Sequence, residues 1–134
     1  MSLPAAKIDP KLMARLWIDR AGPSFIDLVA TVDEEGFGLR ATVRIAPKEG
    51  QSAIVLYDEM KLPSGRGGAH PVKAAEDGFV IKLEKMGISI KELSGEKFSI
   101  NIEFQSENIS ISLCCCAPKD GVEGFLKSIS KLET

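Results

Sequence analysis

The fold is decided by the stretch from Phe79 to Cys116, FVIKLEKMGISIKELSGEKFSINIEFQSENISISLCCC. Apolar and polar residues alternate in four runs of this stretch, at 79–84, 88–91, 98–105 and 109–116. Because successive side chains of a strand point to opposite faces, each run has one apolar and one polar face. Short breaks that contain Gly or Asn separate the runs, and such breaks suit hairpin turns. The stretch therefore predicts a four-stranded antiparallel meander that covers a core on one side.

Three further strands are predicted upstream of this meander. They cover residues 25–32, 37–45 and 52–57. The first two alternate between apolar and polar side chains, whereas the third is apolar on both faces, which indicates a strand covered on both sides. On the polar face of the first strand, Asp27 is expected to pair with Arg40 or Arg44 of the second.

A helix from about Pro10 to Ala21 is predicted near the N-terminus, since its two ends carry helix signals. Asp9-Pro10 has the form of an N-cap followed by proline at the first helical position. Gly22-Pro23 has the form of a helix stop. Apolar residues recur between them at the spacing of one helix face: Leu12, Met13, Leu16 and Trp17.

A second helix is predicted to begin near Asp120, which forms a capping-box-like start with Glu123. An apolar stripe at helical spacing follows: Val122, Phe125, Leu126, Ile129 and Leu132. Together these patterns predict an α+β fold. It consists of a curved antiparallel β-sheet of about seven strands, three plus four and meander-like, with the N- and C-terminal helices packed on one face.

The length of 134 residues predicts a single domain, 1–134. Residues 1–8 are expected to be flexible. Residues 58–78 are expected to form a long irregular loop, because neither the strand period nor the helix period persists there and the segment is rich in glycine. Such a loop in a compact domain is commonly functional or mobile.

The balance of charged residues argues against a nucleic-acid partner. The chain has 17 basic and 19 acidic residues, a net charge of −2 and a pI near 5.5. It lacks the basic excess of nucleic-acid binders, and exposed aromatic residues interleaved with basic ones are not evident, so no nucleic acid is expected as partner. No apolar run is long enough to cross a membrane, and a membrane is not expected as a partner. The adjacent cysteines 114–116 indicate a reducing compartment, and the cytoplasm is the expected location.

The glycine-rich loop provides one candidate site. Four side chains of this loop and its flanks could hold a phosphate or carboxylate: Lys61, Arg66, His70 and Lys73. Their spacing matches neither the P-loop nor the dinucleotide-binding motif. The interpretation of the segment as an ordinary surface loop is favoured.

Residues for catalysis or metal binding are few. His70 is the only histidine, so a triad or a His-rich metal site has no second candidate. Adjacent cysteines of a strand point to opposite faces and do not converge on one zinc ion, although two chains could pool theirs. Cys115 would continue the buried row of its strand. The sequence thus indicates no cofactor, no metal and no set of catalytic residues, and it favours a protein that is not an enzyme.

The polar face of the meander is unusually poor in charge. Its uncharged polar residues are Ser89, Ser99, Asn101, Ser110 and Ser112. Weakly charged sheet faces and unprotected edges favour association, although a serine-rich face can also simply be solvated.

Two hypotheses follow. The leading one is a non-catalytic binding or adaptor module that self-associates, as a homodimer for example, or binds a protein partner through its sheet face or edge. The alternative is a binding protein or enzyme for a small anionic ligand, with a pocket between sheet and helices that the 58–78 loop covers. Fold alone does not choose between them.

Overall fold

The structure is a computed structural model, and it describes residues 9–20, 22–33, 36–47, 51–61 and 72–130. These residues form nine strands and one helix: β1 Asp9–Trp17, β2 Phe25–Asp33, β3 Gly36–Ile45, β4 Ile54–Lys61, β5 Val72–Ala75, β6 Gly78–Lys82, β7 Met86–Glu92, β8 Lys97–Gln105, β9 Ser110–Pro118 and α1 Lys119–Ser130. Residues 1–8, which we expected to be flexible, lie outside the described part.

The strands form two antiparallel sheets. Sheet A has four strands in the order β1-β2-β3-β4, and sheet B has five in the order β5-β6-β7-β8-β9. The prediction of one curved sheet with about seven strands is therefore wrong. The predicted strands are present as β2–β4 and β6–β9, but the step from β4 to β5 starts a new sheet instead of extending the first.

The predicted N-terminal helix is also wrong, because residues 10–17 of the predicted span lie in β1. Ala14, Leu16 and Ile18 are buried, while Arg15 and Trp17 between them are exposed. This is a period of two, which was hidden because Trp17 is a large apolar residue on the outer face.

The supposed helix signals fit a strand equally well. Gly22 has φ 85° in the β1–β2 turn, and a hairpin turn uses this left-handed conformation as readily as a helix end does. Pro10 is tolerated because β1 is an edge strand, and the register shifts between Pro10 and Leu12.

Strands occupy both ends of the segment 58–78, for which a long irregular loop was expected. β4 continues to Lys61, and β5 occupies 72–75, where it pairs with β6. A two-residue turn joins β5 to β6, and Asp77 in this turn has φ 65°. Asp is one of the few residues that adopt this conformation readily. Residues 62–71 lie outside the described part.

The core lies between the two sheets. One continuous apolar cluster takes residues from both, with side chains such as Leu16, Leu28, Ile88 and Ile102 fully buried. Burial of each such side chain contributes roughly 1.5–3 kcal/mol. This shared core makes the sheets two layers of one body.

The C-terminal helix is confirmed as α1. Its apolar stripe is buried through Val122, Phe125 and Ile129, and it packs on β1, β8 and β9. Asp120 lies in the first turn, where a negative charge favours the helix dipole. The helix therefore covers the side of the core where the first strand of one sheet meets the last strands of the other.

Two polar ties also join the sheets. Asp58 of β4 is only 6% exposed, and its Oδ2 accepts hydrogen bonds from the backbone N–H groups of Lys85 (2.6 Å) and Met86 (3.1 Å) at the β6–β7 turn. At the other side of the sandwich, the N–H of Asp19 donates to the carbonyl of Cys116 at 2.8 Å. These ties fix how the layers sit on each other.

Candidate functional site

The outer face of sheet A carries aromatic and arginine side chains in adjacent rows. In one row Trp17 pairs with Phe25, Phe25 with Arg44, and Arg44 with Val55; in the next, Arg15 pairs with Asp27, Asp27 with Thr42, and Thr42 with Tyr57. We call this surface the aromatic–arginine face. It consists of Arg15, Trp17, Phe25, Asp27, Arg40, Thr42, Arg44, Val55, Tyr57 and Glu59.

Three apolar or aromatic side chains of this face are open to solvent. Trp17 is 53% exposed, Val55 59% and Tyr57 49%. Single exposed apolar residues are common on protein surfaces, but a group of them on one sheet face indicates an interaction surface. Trp, Tyr and Arg are also the residue types that contribute most to protein–protein binding.

Arg15 organises the side of the face that β1 and β2 form. Its Nε lies 2.6 Å from Asp27 Oδ1 and its Nη2 lies 2.8 Å from Asp27 Oδ2, which is a bidentate pair. The hydrogen bond to Asp27 raises the pKa of the Arg15 guanidinium. Asp27 was predicted to pair with Arg40 or Arg44, and this prediction is wrong. Its partner is Arg15 of β1, the segment for which the sequence predicted a helix.

The same guanidinium stacks on two rings. Its carbon lies 4.0 Å from the ring centroid of Phe25 and 5.0 Å from that of Trp17. The two rings meet edge to face, with centroids 5.6 Å apart and planes at 76°. Arg15 is therefore held by its carboxylate partner and by two aromatic faces, so the cluster has one defined geometry.

The remaining arginines hold the other side of this face. Arg44 donates from Nη1 to the carbonyl of Pro23 at 3.0 Å. Arg40 Nε is buried and lies 3.7 Å from Glu59 Oε1, which is an ion-pair contact beyond hydrogen-bond distance. Tyr57 donates its hydroxyl to the same Glu59 oxygen at 3.3 Å. The face thus combines three arginines with two carboxylates.

The outer face of sheet B has a different chemistry. It holds all five residues of the predicted interaction face: Ser89, Ser99, Asn101, Ser110 and Ser112. Ser89 pairs with Asn101 across β7 and β8, and Ser99 pairs with Cys116 across β8 and β9. All except the half-buried Ser99 are exposed. The structure therefore brings these residues together, and their role in binding stays a prediction.

The cysteines lie on both faces of β9. Cys114 is exposed, while Cys115 is half-buried against the core, as its place in the alternation predicted. Burial raises the pKa of the Cys115 thiol, and nearby Arg20 partly opposes this effect. Within the part of the chain that the structure describes, no three metal-binding side chains come together.

The predicted anion site is only partly described. Lys61 ends β4 and Lys73 lies on β5, and both side chains are exposed. Arg66 and His70 lie outside the described residues, so this site stays a prediction. A surface depression of about 330 Å³ lies elsewhere, beside the β6–β7 turn, lined by residues 82–87 with Glu103 and Gln105.

Sequence reasoning missed the aromatic–arginine face and wrongly found no exposed aromatics interleaved with basic residues. The signal was present in Arg15 and Trp17, which alternate with the buried Ala14, Leu16 and Ile18. A helical interpretation of this segment placed Trp17 in the core. The pairing of β1 with β2 was needed to bring Trp17 to Phe25.

Comparison with protein-family models, with curated proteins and with solved structures gave no match to this chain. Among the described residues, no helix has the length and apolar character needed to cross a membrane.

Proposed function

We propose that this protein is a non-catalytic binding module that engages a protein partner through the aromatic–arginine face. The observation that carries the proposal is the cluster of the exposed Trp17 and the half-buried Phe25 around Arg15, continued by the exposed Val55 and Tyr57. Such a cluster offers large contact area together with directed hydrogen bonds.

The fixed geometry favours tight binding. Ordering a long side chain at an interface costs about 0.5–1.5 kcal/mol. Arg15 is already ordered by Asp27 and by the two rings. A partner therefore meets a surface that is formed before binding, and less of the contact energy is lost to ordering.

The details of the face favour a protein over a nucleic acid. The Arg15 guanidinium lies over the rings of Phe25 and Trp17, so a base would have to compete with it for one face of each of these rings. Asp27 and Glu59 lie among the arginines and would repel phosphates. The net charge of the chain, −2, adds no attraction for a polyanion.

The proposed location is the cytoplasm. The three thiols of Cys114, Cys115 and Cys116 are free, and Cys114 is exposed. Exposed free thiols are common in proteins of reducing compartments.

The proposal is tested by affinity purification with cross-linking from the cells that make the protein. Wild type, Trp17→Ala and Tyr57→Ala serve as baits, and Leu93→Ala is the matched control, because Leu93 is 62% exposed in the β7–β8 turn. We expect a protein partner that both face variants lose and the control retains. With purified partner, Trp17→Ala should weaken binding by about 2 kcal/mol, roughly 30-fold.

Two results would contradict the proposal. One is a set of recovered proteins that Trp17→Ala and Tyr57→Ala retain as well as wild type does. The other is a nucleic acid that co-purifies and is lost from the face variants. Circular dichroism of the variants separates a lost contact from a lost fold.

A further inference from the structure

The three cysteines of β9 divide between its two faces. Cys115 packs against the core, whereas Cys114 and Cys116 lie on the outer face of sheet B, opposite Asn101 and Ser99 of β8. Adjacent cysteines of a strand point apart and do not converge on one ion. Cys114 and Cys116 are two residues apart, however, and therefore present their thiols on the same side of the sheet.

The backbone holds this pair of thiols in place. β9 pairs with β8 in unbroken register over nine residues. On the other edge of β9, the Cys116 carbonyl accepts the N–H of Asp19 at 2.8 Å. Cys114 is exposed and Cys116 is half-buried, and both thiols are free. The described range 72–130 includes β8, β9 and the segments on either side of them, so the surroundings of the pair within sheet B belong to the described part.

Distance decides what the two thiols can do together. Residues two apart on a strand are about 6.6 Å apart, at about 3.3 Å per residue. A disulfide needs Cβ atoms about 3.5–4.5 Å apart, so the extended backbone opposes a direct bond between Cys114 and Cys116. Two thiolates on opposite sides of one metal ion need sulfurs only about 4.6 Å apart, for a metal–sulfur bond of about 2.3 Å. Side chains of strands lean along the strand direction, which allows the two sulfurs to reach this separation.

The number and type of ligands select the ion. Within the part of the chain that the structure describes, no histidine, carboxylate or third thiol joins the pair to form a group of three metal ligands. Zinc takes three or four protein ligands, so the pair does not suit it. Thiolates prefer soft ions, and Cu(I) is a soft ion that is stable with two thiolates in a line. The cross-strand neighbours Ser99 and Asn101 offer only hydroxyl and amide groups, which are poor ligands for Cu(I).

We propose that Cys114 and Cys116 bind one Cu(I) ion as a two-coordinate dithiolate on the outer face of sheet B. Cys115 takes no part, because its side chain lies on the inner face. Both ligand thiols lose their protons when the ion binds, so the affinity for Cu(I) rises with pH. The site is on a different sheet from the aromatic–arginine face and does not depend on the proposed function.

The experiment is a titration of the full, reduced chain with Cu(I) under anaerobic conditions, in competition with the chromophoric chelator bicinchoninate. We expect wild type to take up one Cu(I) per chain. Cys114→Ala and Cys116→Ala should each lower the affinity at least about 100-fold, since loss of even an outer-shell contact costs about 10–100-fold. Cys115→Ala is the matched control, because it removes a thiol of the same strand from the opposite face, and it should bind Cu(I) as wild type does.

X-ray absorption at the copper K-edge identifies the ligands directly. The loaded protein should show two sulfur ligands and no nitrogen or oxygen ligand. Sedimentation velocity should give the same oligomeric state with and without Cu(I), because both ligands come from one chain. Circular dichroism of the three variants separates a lost ligand from a lost fold.

Wild type that leaves all Cu(I) with the chelator would overturn the proposal. So would a loss of affinity in Cys115→Ala equal to that in Cys114→Ala, because binding would then not follow the strand face. Retention of Cu(I) by both Cys114→Ala and Cys116→Ala would show adventitious binding to single thiols. A dimer that forms only with Cu(I) would mean ligands from two chains. Trp17→Ala should keep Cu(I) and lose the protein partner, so each of the two proposals can fail without the other.

Discussion

The outer faces of sheets A and B differ although the two sheets share one core. On sheet A, Trp17, Val55 and Tyr57 are about half exposed, and Arg15 is locked between a carboxylate and two rings. On sheet B, the outer face carries serine, asparagine and cysteine side chains together with Lys91 and Glu103, and the Ser99 hydroxyl donates to the carbonyl of Lys91. Both faces are outer surfaces of antiparallel strands, so strand geometry does not account for the difference.

The comparison shows that an outer sheet face needs no defined side-chain structure to support the fold. Sheet B is stable with a face of small polar groups, because its stability comes from the buried residues of the inner face. Sheet B does without the ordered cluster that sheet A carries, and this supports the proposal that the outer face of sheet A binds a partner.

The largest effect is expected where the sheets are tied together. Asp58→Ala would leave the N–H groups of Lys85 and Met86 without their carboxylate acceptor in a buried place. We expect the free energy of unfolding to fall by about 3 kcal/mol. Urea denaturation measures this loss, and Glu84→Ala, which removes an exposed carboxylate of the same β6–β7 turn, should change stability by less than about 0.5 kcal/mol, since exposed positions tolerate change. Equal effects of both variants would refute the role of Asp58 as a tie.

A smaller loss is expected inside sheet B. A Cβ at Gly78 would overlap the carbonyl oxygen of Ile90 on β7, whereas a Cβ at Gly87 of the same sheet would meet nothing within 4 Å. Gly78→Ala should therefore cost about 2 kcal/mol through strand displacement. Gly87→Ala should be neutral or stabilise by about 0.5 kcal/mol. Thermal melts of the two variants make a matched test, and similar melting temperatures would show that β6 and β7 are less closely packed than the structure has them.

The variant Arg15→Lys tests the cluster that distinguishes the outer face of sheet A from that of sheet B. Lysine keeps the charge but loses the bidentate contact with Asp27 and the planar stacking on Phe25. The stability loss should stay below about 1 kcal/mol, because the Arg15 side chain is partly exposed and solvent screens the pair.

Binding should respond more strongly than stability does. Affinity for the partner is expected to fall about tenfold in Arg15→Lys. The control is Lys91→Arg on the outer face of sheet B, which should alter neither quantity. Unchanged affinity in Arg15→Lys would remove Arg15 from the centre of the interface.

The smallest effect is expected from alkylation of the cysteines on the two faces of β9. Variants that keep a single cysteine, with serine at the other two positions, are alkylated with iodoacetamide. Cys114 should react at least about tenfold faster than Cys115, because the thiolate is the reactive form and Cys115 is half-buried with a raised pKa. The alkylation rate of Cys115 should continue to rise above pH 9.0, the ordinary pKa of a cysteine thiol, because the pKa of Cys115 is raised. Equal native rates would place Cys115 outside the core.

The strands at 25–32, 37–45 and 79–116 were predictable because a period of two depends only on which residues are apolar. Trp17 shows the limit of such reasoning. An apolar residue on an outer face breaks the alternation locally, and at this position the sequence Leu-Trp-Ile fits a helix stripe as well as a strand. Only the pairing of β1 with β2 decides between the two.

The sequence by itself determined the strand-rich character of the chain, the seven central strands, the C-terminal helix and the common face of Ser89, Ser99, Asn101, Ser110 and Ser112. These features follow from local periodicity and turn residues. The tertiary structure decided the division into two sheets, the strand identity of the N-terminal segment and the meeting of Arg15 with Asp27, Trp17 and Phe25. The reason is that these depend on pairing between segments distant in the chain, and pairing energy is shared among neighbours that no local pattern records.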